Sequence, residues 1–245
     1  MDVQPYSRLA EHYDRLMGHV QYGFWASSLQ KILKRLKHKP RRLLELGAGT
    51  CRLARELTWP TLEFQIHTDL SFPMVQAAGK DFPHARLACD ATALPFHSGF
   101  DLVLMCYDAV NYLPPNAMHK LFTEVHRVLE SGGVFLFDIT TEVNSIEWFE
   151  DYCDAFEASG AMLVRRSSYE AEKRLQHNYI DLFEPIQGDQ YRRVSEHHLQ
   201  HIYPVPQLCE WLAECGLQLV DLLDANTLRP ATPKSERIHF AVMKP

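Results

Sequence analysis

The sequence predicts an α/β fold: a mainly parallel, doubly wound sheet interrupted once by a small antiparallel insertion. Three observations carry this. Strand-length apolar runs alternate with segments of helical spacing from Tyr22 to Thr140. One of these runs, FDLVLMCYDA at 100–109, is apolar on both faces, as in a parallel strand covered by helices. After Thr141 the alternation stops, and it returns near Val205.

Each element has its own justification. Residues 22–37 set Trp25, Leu29, Ile32, Leu33 and Leu36 at helical spacing. Basic residues and Pro40 make 37–42 a loop. RRLLELG then reads as a buried strand ending at a glycine turn, and 51–57 resumes a helix. LEFQIHTDL (62–70) is a second strand. Ser71 is placed to cap a short helix over 72–79. ARLACD (85–90) is the third strand and 100–109 the fourth. Met118, Leu121, Phe122, Val125, Val128 and Leu129 share one face of a helix over 116–130, closed by Gly132-Gly133. VFLFDIT (134–140) is the fifth strand. Three extended segments follow at 161–171, 175–185 and 190–203, with Gly188-Asp189 turning the last two into a hairpin. A helix over 205–215 and strands over 217–223 and 237–243 complete a seven-stranded sheet. The expected organisation is one domain from 1–141 and 204–245, with 142–203 inserted as an antiparallel cap.

Acidic residues outnumber basic ones, 31 to 25, for a net charge of −6. That balance argues against a nucleic-acid partner, which needs a basic face. The pairs Arg165-Arg166 and Arg192-Arg193 are too short to supply one. The six cysteines contain no Cys-x-x-Cys pair, so no zinc or dithiol site is expected, and no metal. Cysteines within apolar runs behave as small hydrophobes and suit a reducing cytoplasm. MDVQPYSRLAEHYDRL lacks the apolar core of a leader, and no run is long enough to span a bilayer.

The strongest local signal is LLELGAGTCRLA at 43–54. A strand ends in Glu45, and Gly47 and Gly49, around Ala48, let the backbone turn tightly against a ligand. Asp69 ends the next strand, where a carboxylate can accept both ribose hydroxyls of a nucleoside. A dinucleotide site wants a third glycine at position 52, but that residue is Arg52. Glu45 would also repel a pyrophosphate. It suits a ligand with a positive end, such as an amino group or a sulfonium. Asp90 ends the third strand, before Ala91, where a carboxylate can meet an exocyclic amine of adenine.

On these residues the chain resembles the class I S-adenosylmethionine-dependent methyltransferase superfamily, whose fold is Rossmann-like. The resemblance runs from about Tyr6 to the end of the chain, through Glu45, Gly47, Gly49, Asp69, Asp90, FDLVLM and Gly132-Gly133. It implies S-adenosyl-L-methionine as cofactor, with Leu70, Met74 and Cys106 beside it. The superfamily usually has glycine where this chain has Cys51. Cysteine resists positive φ, so the loop is expected to differ slightly there. YDRLMGHVQYGFW (13–25) and YDAVNYL (107–113) are similar to a bacterial subgroup of small-molecule methyltransferases, relatives of sugar N-methyltransferases and glycine N-methyltransferase-like enzymes. That likeness implies that Tyr6, Tyr13, Tyr22 and Trp25 fold over the methionine end of the cofactor. Core packing is the plain alternative for these aromatics.

Methyl transfer from a sulfonium is an in-line displacement, so the protein mainly aligns and desolvates the acceptor. The acceptor is expected to be a small molecule carrying an amine or hydroxyl. Asp108, Asn111 and Tyr112 follow the fourth strand, at the carboxyl edge where open α/β sheets hold ligands. Asp108 suits holding or deprotonating an amine; a turn acid is its plain alternative. Tyr13 and His201 are the other candidate catalytic residues. His197 and His201 share one strand face and His198 takes the other, which separates them as metal ligands. The expected state is a monomer or homodimer. The rival readings are a non-catalytic cofactor-binding module, an RNA or protein methyltransferase lacking the expected Asn-Pro-Pro-Tyr-like run, and an oxidoreductase disfavoured by Arg52.

Overall fold

A computed structural model describes residues 2–158 and 160–245. The chain opens with a two-residue strand, β1 (Asp2–Val3), a 3-10 turn and one turn of helix, α1 (Tyr13–Leu16). Helix α2 (Tyr22–Arg35) buries Ala26, Ser28, Leu29, Ile32 and Leu33, the stripe that the 3.6-residue period creates. Strand β2 (Arg42–Leu46) and helix α3 (Arg52–Glu56) flank the glycine turn. Strand β3 (Phe64–Asp69), helix α4 (Phe72–Ala77) and strand β4 (Ala85–Ala88) follow. Ser71 caps α4 by accepting from the Met74 amide at 3.3 Å. Strand β5 (Phe100–Met105) leads through a second 3-10 turn (Ala109–Tyr112) into helix α5 (Pro115–Val128). Strand β6 (Leu129–Thr140) is buried over its last eight residues.

The next segment holds more structure than its sequence announced. A helix, α6 (Glu142–Phe149), and a strand, β7 (Asp151–Ala158), precede β8 (Ala161–Glu170), β9 (Leu175–Gln187) and β10 (Gln190–His201). DYCDAFEA has no β-branched residue to mark it as a strand by itself. Pairing supplies what pattern does not: β7 lies antiparallel to β8 from Asp151↔Ser168 to Ala158↔Ala161. Helix α7 (Val205–Glu214) and strands β11 (Gln218–Asp224) and β12 (Arg237–Met243) close the chain.

Two sheets result. The first runs β11-β12-β6-β5-β2-β3-β4, the seven strands expected, with β12 antiparallel to both neighbours. One apolar cluster, including Phe122, Phe137, Leu208 and Phe240, fills the face under α5 and α7. A second, including Leu29, Ile32, Leu43 and Leu104, fills the face under α2 and α3. The fold is therefore Rossmann-like, covered on both faces. The second sheet runs β1-β10-β9-β8-β7. Strand β1 pairs parallel with β10 at Ser195 and Glu196, so the N-terminus docks on the inserted sheet and not on the main one.

Candidate functional site

Strand β2 ends at the carboxyl edge, and the chain reverses through Gly47, Gly49 and Cys51, all at positive φ. A Cβ at position 47 would stand 2.9 Å from Ala109 Cβ. Only glycine lets this loop pass so close to the turn after β5. At Cys51 the expected departure does not occur. Its φ is +60°, so the loop keeps the left-handed turn despite the Cβ. Burial of the side chain among Ala54, Ala78 and Phe82 over-determines that conformation.

Asp69 ties this loop to the next one. Its Oδ2 accepts from the Gly49 amide and its Oδ1 from the Ser71 amide, each at 2.8 Å. Each oxygen keeps a lone pair for a ligand hydroxyl. Burial raises the Asp69 pKa, and the two amide bonds oppose the shift. Glu45 is buried, with its Oε2 2.5 Å from His67 Nδ1. Asp90 is exposed and holds its own turn, accepting from the Thr92 amide and hydroxyl at 2.8 Å.

A cavity of about 50 Å³ opens beside the glycine loop. Glu45, Gly47, Ala48, Gly49 and Cys106 line it from the sheet side. Tyr13, Tyr22 and Trp25 line it from α1 and α2. Arg52 fastens those helices to the loop. Its guanidinium lies 3.6 Å from Asp14 and 5.8 Å from the Tyr22 ring centroid. Asp14 also accepts from the Thr50 hydroxyl at 2.5 Å.

Tyr13 and Tyr107 also line a second, larger cavity of about 200 Å³. Its walls come from both sheets: Asp108 and Tyr112 from the turn after β5, Asn178 from β9, and His198 and Gln200 from β10. Tyr6, edge-on to Tyr13 at 5.7 Å, completes it from the N-terminal segment. Tyr107 and Asp108 both hold positive φ, +63° and +50°. Strain of this kind persists only where the surroundings impose it. Here the buried Asp138 carboxylate accepts from the Tyr107 amide at 2.6 Å and the Asp108 amide at 2.9 Å. Arg237 joins the carboxylates, 2.5 Å from Asp138 and 2.6 Å from Asp108 Oδ1. Gln200 donates to Asp108 Oδ2. Burial raises the Asp108 pKa, Arg237 opposes this, and Asp138 adds to it.

The structure thus gathers Tyr6, Tyr13, Tyr22, Trp25, Glu45, Gly47, Ala48, Gly49, Cys106 and Asp108 around two adjoining cavities. Met74 is buried against Gly49. Asp69, Leu70, Asp90 and Ala91 lie outside both linings, at the carboxyl edge beyond β3 and β4. Leu70 is 75% exposed. His201 corrects the sequence expectation. It is not in the cavity wall but stacks on Tyr203 at 6.1 Å. Alternation along β10 sends His198 and Gln200 into the cavity and His197 and His201 to the other face. The pattern gave the alternation, but not which face met the cavity. Asp138, Gln200 and Arg237 were missed for a related reason. Their roles come from packing across 30 to 99 residues of sequence.

The residues at the glycine loop fit an S-adenosyl nucleoside: a backbone cradle, a buried acid at its floor, and Asp69 with free lone pairs. Comparison with known proteins agrees. Residues 44–137 match the family described as "Methyltransferase domain". The chain is 29% identical to "Putative methyltransferase YqeM" of Bacillus subtilis, across 98% of this chain and 97% of that one. The structure superposes on an S-adenosylmethionine-dependent methyltransferase from Clostridium acetobutylicum with a TM-score of 0.82, at 24% identity, covering 96% and 97% of the two chains. CalS10 of Micromonospora echinaspora, an amino pentose methyltransferase, superposes at 0.73 and 18% identity, covering 99% of each. These structural likenesses establish the fold. Domain match, full-length relative and fold together point to an S-adenosylmethionine-dependent methyltransferase. The cofactor that this likeness and the glycine loop point to is S-adenosyl-L-methionine.

Proposed function

We propose that this enzyme methylates an amine or hydroxyl of a small molecule held in the larger cavity. The observation that carries this reading is that Tyr13 and Tyr107 line both cavities, so the two lie side by side. Glu45 would hold the positively charged methionine end, in the cavity that these rings line. The bound cofactor supplies the electrophilic methyl carbon; the protein supplies alignment and a dry wall. Tyr6, Tyr13, Tyr22 and Trp25 cover the methionine end, and Asp69 and Asp90 hold the nucleoside. Asp108, fixed by Arg237 and Gln200, faces the acceptor and can hold an amine. In this reading the inserted sheet caps the acceptor.

Other features accord with a small polar acceptor and reduced thiols. The cavity wall mixes tyrosines and amides with one acid, Asp108, two arginines, Arg165 and Arg237, and apolar side chains such as Leu9 and Phe149, and the chain's net charge is −6. All six cysteines are free. No helix among the described residues is long and apolar enough to cross a membrane.

The test is release of S-adenosylhomocysteine during incubation with S-adenosylmethionine and a panel of small amines, amino sugars and hydroxy compounds. Turnover with a member of that panel is the expected result. Tight cofactor binding with no turnover on any of them would instead support a non-catalytic cofactor-binding module.

A further inference from the structure

Four side chains form an unbroken hydrogen-bonded file from the larger cavity into the inserted sheet. Tyr6 Oη lies 2.7 Å from Tyr112 Oη. Tyr112 Oη lies 3.2 Å from His198 Nδ1, and His198 Nε2 lies 3.0 Å from Glu196 Oε2. Tyr6, Tyr112 and His198 line the cavity; Glu196 stands behind them, buried.

The surroundings fix which way every proton points. Glu196 Oε2 also accepts from the Tyr6 amide at 2.6 Å. Its Oε1 accepts from the Arg8 and Leu9 amides at 2.8 and 2.9 Å. A carboxyl that accepts from three amides is ionised. Burial acts against this, but the bond from His198 and the amide bonds hold its pKa below the usual carboxylate range. His198 Nε2 must therefore be the donor to Glu196. In the neutral ring Nδ1 is then an acceptor, so the Tyr112 hydroxyl donates to it. The Tyr112 oxygen in turn accepts from the Tyr6 hydroxyl. What remains facing the cavity is a lone pair on Tyr6 Oη. Burial raises the pKa of Tyr6 and Tyr112, so both stay neutral hydroxyls that pass protons without storing charge.

We propose that this file is the route by which the methyl acceptor loses its proton, with Tyr6 as the contact to the acceptor and His198, paired with Glu196, as the base at its end. The inference rests on the methyltransferase reading above. As the acceptor's lone pair bonds to the methyl carbon, the methyl–sulfur bond breaks with its pair left on sulfur. The acceptor's N–H or O–H proton passes to Tyr6 Oη, the Tyr6 proton to Tyr112 Oη, and the Tyr112 proton to His198 Nδ1. The products are a methylated neutral acceptor, the thioether and an imidazolium beside Glu196. After product leaves, the same file returns the proton to water in the cavity. A carboxylate orienting an imidazole, which in turn serves a hydroxyl, is the arrangement that activates nucleophiles in hydrolases. Here it is lengthened by a second hydroxyl.

The groups that bear on His198 are few. Glu196 and His197 flank it on β10, and the Tyr6 ring stands edge-on at 4.6 Å. Tyr112 bonds it from the turn after β5. Asp108 acts on Tyr6 and Tyr112, and Arg237 offsets Asp108. Tyr13 stands behind Tyr6.

The test has a spectroscopic arm that needs no acceptor and a kinetic arm that does. Nitrogen-15 spectra of histidine-labelled protein, with His198 assigned by loss of its signals in His198→Gln, should show the proton on Nε2 at neutral pH. Tyr112→Phe should shift the Nδ1 resonance while the protein stays folded. In turnover, Tyr6→Phe and Tyr112→Phe should each lower kcat about 100-fold or more, the scale of general base catalysis. Both keep the rings, so affinity for S-adenosylhomocysteine should hold. His198→Gln should lower kcat on the same scale while leaving affinity for S-adenosylhomocysteine in place. A proton on Nδ1, or Tyr6→Phe and Tyr112→Phe with wild-type kcat, overturns the relay. If the wild type methylates no amine or hydroxyl, the functional reading falls instead, and the tautomer still decides the file's polarity.

Discussion

Asp138 offers the sharpest test of how the acceptor side is held together. It is fully buried and serves three donors: the Tyr107 amide, the Asp108 amide and Arg237. Asp138→Ala would leave both amides without a partner in two adjacent left-handed residues. An unsatisfied buried donor costs about 1–3 kcal/mol. Arg237 keeps Asp108 at 2.6 Å, so the substitution strands no isolated cation. Two such donors put the total at about 2–6 kcal/mol. Asp138→Asn keeps one acceptor oxygen and strands one amide, and should cost about half as much, roughly 1–3 kcal/mol. Urea unfolding followed by tryptophan fluorescence reads this directly, since Trp25 packs 5.4 Å from Tyr107. S-adenosylhomocysteine affinity should change less than acceptor turnover, because Asp138 holds the Tyr107–Asp108 turn and not the glycine loop. An Asp138→Ala variant within about 0.5 kcal/mol of wild type, as for a surface substitution, would refute the argument that this carboxylate imposes the turn.

Four more expectations follow from the same geometry. Asp69→Ala should weaken S-adenosylhomocysteine binding by roughly 1.5–3 kcal/mol by calorimetry, the value of a hydrogen bond to a charged acceptor; an unchanged affinity in folded protein would remove Asp69 from the ribose. Gly47→Ala should destabilise the loop by about 1–2 kcal/mol from its left-handed backbone alone, plus the contact with Ala109. Adding Ala109→Gly should recover the contact part only, and full recovery in thermal unfolding would show that φ is not the constraint. Gln200→Ala should lower acceptor turnover while His201→Ala leaves it unchanged, and the reverse order would return His201 to the site. The Glu196 pKa is depressed, so its hold on the Arg8 and Leu9 amides is present above the unfolded value of about 4.3 and lost as pH falls through the lower folded value. Hydrogen exchange should show those amides still protected at about pH 4.3, and loss of protection well above that pH would contradict the depressed value.

Much of the cofactor half was legible in the sequence because its constraints are local. Buried parallel strands read as apolar runs, and a glycine turn reads as Gly-x-Gly. The acids Glu45, Asp69 and Asp90 sit at strand ends whose order the alternation of elements imposes. Ser71 announced its own cap. Cys51 is the exception: its left-handed backbone is held by burial in a cluster with Phe82, a neighbour in space and not in the chain.

The acceptor half was decided by tertiary structure. Period-2 alternation separates His198 from His201 but is symmetric about the sheet, so nothing within β10 says which face meets the other domain layer. That choice came from pairing β10 with β1 and β9 and from the turn after β5 packing against it. The β7 strand existed only once β8 offered it backbone partners. The Tyr107–Asp108 turn, with Asp138 and Arg237 beneath it, joins residues about a hundred positions apart. Charges meet across such distances only because β6 and β12 lie side by side. Sequence determined the scaffold and the cofactor loop, where each residue answers to its neighbours in the chain. The contacts that shape the acceptor cavity answer to neighbours in space, and only the folded chain supplies those.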